Sequence, residues 1–416
     1  MDSYDKSEDT ASRSGLERFR PNQTVLGFSG TQALVLVGIL LVALNLRPAI
    51  ASISPVLEQM RSDLNLDYAS ISLLTTIPTF CMGLFAFVTP LLARHLGRER
   101  TVFWAVVLIG VSTVARLWST HITVLFTTTT VVGIGIAIAQ TLLPELVSEH
   151  FVDRAGYVTG LYTTSLIIGG GIATSLTAPL MNALGTWPIA LAAWSILAVV
   201  AALVWIPAMR LTRSSTDTGT TIPSSRLPWR HPWVWALALF FVGQTILFYS
   251  MLTWLAPLYV GLGWNSEHAG FLLTVAMGGQ LVGSLCVTGL IDRFPDRRPV
   301  LAVVLTASAV GLAAIVFVPL VAPWFWAVLL GFGTAGSFTL GLTLPVDYAP
   351  TPDTAGLLSS VVLGVGYLIG AFGPFVIGWM RDLTGGYQVP FSGLAVLNII
   401  MLVGAIGFHP DRTIEV

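Results

Sequence analysis

The sequence predicts an all-α polytopic membrane protein. Twelve transmembrane helices are expected, as two pseudo-symmetric six-helix bundles. Three observations carry this. The first is composition: of 416 residues, 54% are hydrophobic and 10% charged, against roughly 25% charged in an average soluble protein. So few charges cannot coat a water-exposed surface, which argues against a soluble enzyme and against disorder. The net charge of -1 offers no broad footprint for nucleic acid. The second is the recurrence of apolar segments of about 20 residues, the length a helix needs to cross about 30 Å of hydrocarbon. The third is an internal repeat.

The expected spans run over 33–57, 68–92, 100–119, 122–146, 156–184 and 188–208, then 233–260, 267–291, 299–319, 322–346, 355–380 and 387–408. The predicted organisation is a tail over 1–32, a six-helix bundle over 33–208, a linker over 209–231, a second bundle over 232–409 and a tail over 410–416. The polar start is rich in both charge signs and lacks the basic-then-apolar pattern of a secretory signal. Sixteen of the 20 Lys+Arg residues fall in the tails, the linker and the loops on the same side. Arg61, Arg116 and Arg381 fall opposite, and Arg47 lies within a span. By the positive-inside rule both termini are expected in the cytoplasm of a cell (plasma) membrane protein. Cys81 and Cys286 sit in apolar runs and read as small buried hydrophobes.

The halves align at an offset near 200. Asp153-Arg-Ala155-Gly156 matches Asp353-Thr-Ala355-Gly356, and Leu73-Leu74-Thr75 matches Leu272-Leu273-Thr274. Gly133-Ile-Gly135 matches Gly331-Phe-Gly333, and Leu143-Pro144-Glu145 resembles Leu344-Pro345-Val-Asp347. Duplicated six-helix halves suit a transporter that rocks around a midplane site.

Arg47 is the most informative residue. A central Arg costs at least ~2.5 kcal/mol on insertion scales unless it faces protein or water. At about 100° per residue, Ala43, Arg47, Ala51 and Ser54 share one helical face. Two readings follow. Arg47 is a guanidinium in a transport cavity, offering its fork to a small anion, or it is held by backbone carbonyls or a structural acid. Asn45, Gln140, Tyr162, Tyr249, Trp254, Gln280 and Tyr367 are further candidates for substrate contact. Tyr249 stands out because the repeat places it opposite Arg47. Glu145 and Asp347 occupy matching span ends and are candidates for carrying a proton; the plainer reading pairs each with a loop Arg. Arg94 and Arg98, with Asp292 and Arg293 after the eighth span, are candidates for a cytoplasmic gate. No cofactor or metal is expected, and the histidines sit at loops and span ends.

These residues resemble the major facilitator superfamily and, more narrowly, its cyanate / 2-nitroimidazole transporter family. The matching stretches are Leu44-Asn45-Leu46-Arg47-Pro48-Ala49, Leu142-Leu143-Pro144-Glu145-Leu146-Val147 and the segment from Arg154 to Thr163. Phe248-Tyr249 through Trp254-Leu255-Ala256-Pro257, Gly366-Tyr367 through Gly373-Pro374 and Asp382-Leu-Thr384-Gly385 complete them. The resemblance implies the major facilitator fold and secondary transport of a small, compact, polar or anionic solute. The expected partners are that solute, protons and the lipid bilayer, with the protein a monomer. The superfamily loop usually places Asp before Arg, where this chain has Ala93-Arg94. A receptor or scaffold that binds a ligand without transporting it is the alternative. An intramembrane enzyme would need a nucleophile–base or metal cluster at depth, and the spans carry neither.

Overall fold

The computed structural model describes residues 30–211, 231–291, 293–294 and 296–409. Among them, twelve helical runs are long and apolar enough to cross a membrane. They are α1 (Gly30–Asp63), α2 (Tyr68–Phe85), α3 (Arg98–Trp118), α4 (Ile122–His150), α5 (Val152–Leu184) and α6 (Trp187–Arg210). They continue with α7 (Pro232–Gly261), α8 (Ser266–Ile291), α9 (Arg298–Phe317), α10 (Pro323–Asp347), α11 (Thr354–Thr384) and α12 (Gln388–Ala405). The limits fall within a few residues of those expected, and the chain is a multi-pass membrane protein. Most of the expected tails and linker (1–29, 212–230 and 410–416) lies outside the described residues.

Successive helices are antiparallel. The terminal end of the bundle holds residues 30, 211, 231 and 409; the far end holds the α1–α2 and α7–α8 turns. Local chemistry sets the helix limits. Asp67 caps α2, its carboxylate accepting the Ser70 N–H at 2.7 Å, and the Ser70 side chain followed by that N–H holds the carboxyl below the usual carboxylate range. Gly185 (φ 82°) ends α5 and Gly385 (φ 70°) ends α11, both in the left-handed region that glycine adopts without cost. The two stops are 200 residues apart, as the repeat predicts.

The outward surface is apolar. Trp104, Val111, Leu203, Val303 and Ile400 are all exposed, as lipid-facing side chains are. Cys81 is buried as expected, whereas Cys286 is exposed on this surface, because an apolar run in a membrane helix serves lipid contact as readily as core packing.

The repeat is visible in the packing. Gly133 of α4 lies against Pro78 and Cys81 of α2, and Gly135 lies against Ala105 and Ile109 of α3. Gly331 of α10 lies against Ala276 and Gln280 of α8, and Gly333 against Val304 and Ser308 of α9. Each Gly-x-Gly pair wedges one helix between two neighbours at backbone contact, where small residues let membrane helices approach. A Gly331→Val substitution puts its Cβ into the Ala276 carbonyl. It should cost about 1–3 kcal/mol or more as overpacking, read as a lowered melting temperature in detergent. Gly160→Ala, where no atom lies within 4 Å of the added Cβ, should leave the melt unchanged.

Across the halves, α5 packs along α8, and α2 along α11.

Candidate substrate site

The centre is built on a break in α1. Regular helix runs from Gly30 to Leu46, restarts over Pro48–Ala51, passes through a 3-10 turn over Ser54–Val56 and continues over Leu57–Asp63. The backbone stays in the right-handed helical region at Arg47, Ser52 and Ile53, and Ala43, Ala51 and Ser54 are buried with Arg47 half-buried on the expected face; what is lost at Arg47 is the regular hydrogen-bond ladder. The cause is Pro48: without an N–H it cannot bond the Leu44 carbonyl, and its ring crowds that oxygen. Gly169 of α5 fits directly against the Leu44 oxygen, leaving no room for a side chain. Arg47 stands at the break, between the two helical pieces.

The Arg47 guanidinium carbon lies 4.9 Å from the Phe248 ring centroid and 6.0 Å from that of Tyr249. These are cation–π distances on α7. A Cβ at Gly170 of α5 would sit 3.5 Å from Arg47 Cβ and 3.0 Å from Met277 Sδ of α8. Arg47 is half-buried, its Nη1 is buried without a hydrogen-bond partner, and no ion pair among the described residues includes it. Tyr367 of α11 lies within electrostatic reach of Arg47, Tyr249 and Tyr162 and within hydrogen-bonding reach of Gln140. Five of the expected contact residues thus converge from α1, α4, α5, α7 and α11. The positive charge has aromatic walls and no acid, an arrangement that favours a small anionic or electron-rich ligand.

Beyond this centre the halves are stitched together toward the far end. The Tyr249 hydroxyl donates to Met82 Sδ at 3.3 Å. Ser54 Oγ donates to the Thr253 carbonyl at 2.9 Å, and Thr253 Oγ1 donates to Thr75 Oγ1 at 2.9 Å. Thr174 and Thr274 hydroxyls meet at 2.8 Å, and Asn182 donates to Glu267 at 2.6 Å. At the rim, Asp382 of α11 accepts the first two helical N–H groups of α2, from Tyr68 at 3.0 Å and Ala69 at 2.8 Å. Arg381 lies 4.7 Å from the Tyr68 ring centroid and 4.9 Å from that of Tyr387.

At the terminal end, each half carries ion pairs of its own. Arg98 pairs with Glu145 at 3.0 Å and Glu149 at 2.9 Å. Arg297 pairs with Asp347 at 2.8 Å and also donates to the Ile291 carbonyl. The two acids thus meet Arg residues at corresponding places in the repeat.

The Major Facilitator Superfamily profile matches residues 39–267 and 255–415. The chain belongs to the major facilitator superfamily. It is 29% identical to the cyanate transport protein CynX of Escherichia coli (strain K12), over 91% of this chain and 98% of that protein. It is 30% identical to the 2-nitroimidazole transporter of the same organism, over 93% of this chain and 98% of that one. Among solved structures, a D-xylose-proton symporter superposes with a TM-score of 0.77 at 14% identity, covering 92% of this chain and 99% of the symporter. This member of the superfamily is a transporter of small solutes, homologous to cyanate and nitroimidazole transporters.

Within the superfamily fold, the other expected site residues lie as follows. Trp254 is fully buried toward the far end; its indole N–H donates to the Pro374 carbonyl at 2.9 Å and its ring packs on Tyr68 and Tyr387. Asn45 and Gln280 are buried with amide nitrogens that lack partners. Of the expected gate, Asp292 lies outside the described residues, Arg293 is exposed, and Arg94 is exposed and engaged. Phe248 and Met277 were not among the expected contacts. An aromatic and a Met in apolar helices look like core in any sequence, and only their distance to Arg47 distinguishes them. Arg116, expected on the outer side near the end of the third span, is a fully buried side chain at the end of α3.

Proposed function

We propose that the chain moves a small polar or anionic solute across the plasma membrane by alternating access, with Arg47 as the anchor for its negative group. The solute class is cyanate-like, nitroaromatic or a small carboxylate. The observation that carries this reading is a half-buried guanidinium without a carboxylate partner, facing Phe248 and Tyr249 where the two halves meet. Such a charge leaves water only at substantial cost unless a ligand or water compensates it. An anion that neutralises it binds tightly for its size.

In this reading both termini are cytoplasmic, and the stitched far end faces outward. Solute then reaches Arg47 from the cytoplasmic side in this conformation. Release of the Asp382 and Thr174–Thr274 contacts, with closure at the terminal end, would complete the cycle. Arg98, Arg293 and Arg297 stand where the cytoplasmic ends must meet.

The test is uptake and counterflow in proteoliposomes with labelled cyanate, 2-nitroimidazole and benzoate, with and without an imposed pH gradient. Saturable accumulation of at least one solute supports transport of this class. Binding of these solutes without accumulation or counterflow would instead make the protein a receptor. Accumulation that ignores the pH gradient would remove proton coupling through Glu145 or Asp347.

A further inference from the structure

A second buried arginine lies behind the break in α1. The Arg116 side chain is 1% exposed, at the far-end turn of α3. Its Nη1 donates to the Ala49 carbonyl at 2.9 Å, two residues beyond Arg47. Its Nε and Nη2 are buried and have no hydrogen-bond partner, and no ion pair among the described residues includes it. Those two nitrogens form one edge of the guanidinium, with two parallel N–H donors that converge on a single acceptor.

Three hydroxyls add to this edge. Thr113 is one turn before Arg116 on the same side of α3, and Ser119 follows by the same spacing, its N–H bonded to the Arg116 carbonyl. Ser52 is one turn beyond the Ala49 carbonyl that Arg116 holds. The hydroxyls of Thr113, Ser119 and Ser52 are all buried without hydrogen-bond partners. Five buried polar atoms therefore lack partners within two short segments that Arg116 ties together. The first turn of α6, with buried Trp187 and Leu191, packs over the Arg116 turn and shields it.

We propose that Arg116 holds a small monovalent inorganic anion of halide size, bound by Nε and Nη2 and solvated by the hydroxyls around them. Water alone would leave a full positive charge uncompensated in a buried setting, which is costly. A carboxylate-bearing metabolite is too bulky for a side chain that is 1% exposed and covered by α6. A monovalent halide balances the charge with one atom. The ion steadies the turn that presents Arg47, because Arg116 grips the carbonyl of Ala49 in the short helix that follows it. The site is separate from the Arg47 cluster: it lies between the end of α3 and the start of α6, whereas Arg47 faces α5 and α7.

The test compares thermal melts of the purified protein in sodium chloride, sodium bromide and sodium gluconate at equal ionic strength. The expected result is a saturable rise in Tm with chloride or bromide over gluconate, absent in Arg116→Met and kept in Arg47→Ala. Thr113→Val and Ser52→Ala leave the guanidinium in place and should raise the halide concentration needed for half the shift several-fold. They carry the test if Arg116→Met does not fold. Crystals grown in bromide should show an anomalous peak against Nε and Nη2. Superimposable melts in chloride and gluconate, a halide shift that survives Arg116→Met, one that vanishes in Arg47→Ala, or a bromide map without a peak at Arg116 would each overturn the proposal.

Discussion

Arg47→Ala should reduce uptake ~30-fold or more, the loss expected when truncating one partner of a buried, hydrogen-bonded charge pair costs about 2–5 kcal/mol. The substitution removes the one guanidinium set against Phe248 and Tyr249. It adds no steric clash, because the Gly170 and Met277 surfaces it vacates are already apolar. Elution as a single species and a retained melting transition should show that the fold survives. Arg47→Lys is the sharper variant. It keeps the charge but loses the planar fork and its stacking on the aromatic rings. A solute recognised through two oxygens, or through nitrogen and oxygen together, should lose most of its uptake in that variant. A solute held only by net charge should keep it. Wild-type uptake by Arg47→Ala would remove Arg47 from the site.

Asp382→Ala should open the far end. The Asp382 carboxylate spans the halves to accept two N–H groups at the start of α2, where the helix leaves donors unpaired and its dipole is positive. Losing that contact should shift the balance between conformations by about 1–3 kcal/mol, or ~5–150-fold in population. The water-exposed rim sets the lower part of that range. Spin labels at Asn65 and Gly386, in a Cys286→Ser background, should report a longer and broader distance distribution than in the parent. Asp382→Asn keeps an acceptor oxygen and should fall between. An unchanged distance distribution in Asp382→Ala would mean that the Thr174–Thr274 and Ser54–Thr253 contacts hold the far end without it.

Much of the site is legible in the residues themselves. Arg47 stands out because a lone charge in an apolar run is costly, and Tyr249 follows from the repeat. Gln140, Tyr162 and Tyr367 are visible as polar or aromatic residues in spans and do gather near it. Trp254 carries the same signal and packs elsewhere, since an indole N–H is satisfied equally well by a carbonyl such as that of Pro374. Helical periodicity does place Ala43, Arg47, Ala51 and Ser54 on one inward face, because Pro48 removes a hydrogen bond without taking the backbone out of the helical region.

Hydropathy alone established the membrane class and the twelve spans, because the bilayer imposes a length and an apolar composition on every crossing segment, and matched segments about 200 residues apart revealed the duplication. Charge position alone supplied the expected orientation and singled out Arg47. Which face each helix turns to its neighbours is a different matter. The apolar solvent and the apolar core accept the same residue types, so Cys286 could be expected inside and lie outside. Arg116 could be expected at the outer end of its span and lie fully buried behind Pro48, since a long side chain near a helix end can reach water or fold back into protein. Only its hydrogen bond to Ala49 and the packing of α6 on the end of α3 settled its direction.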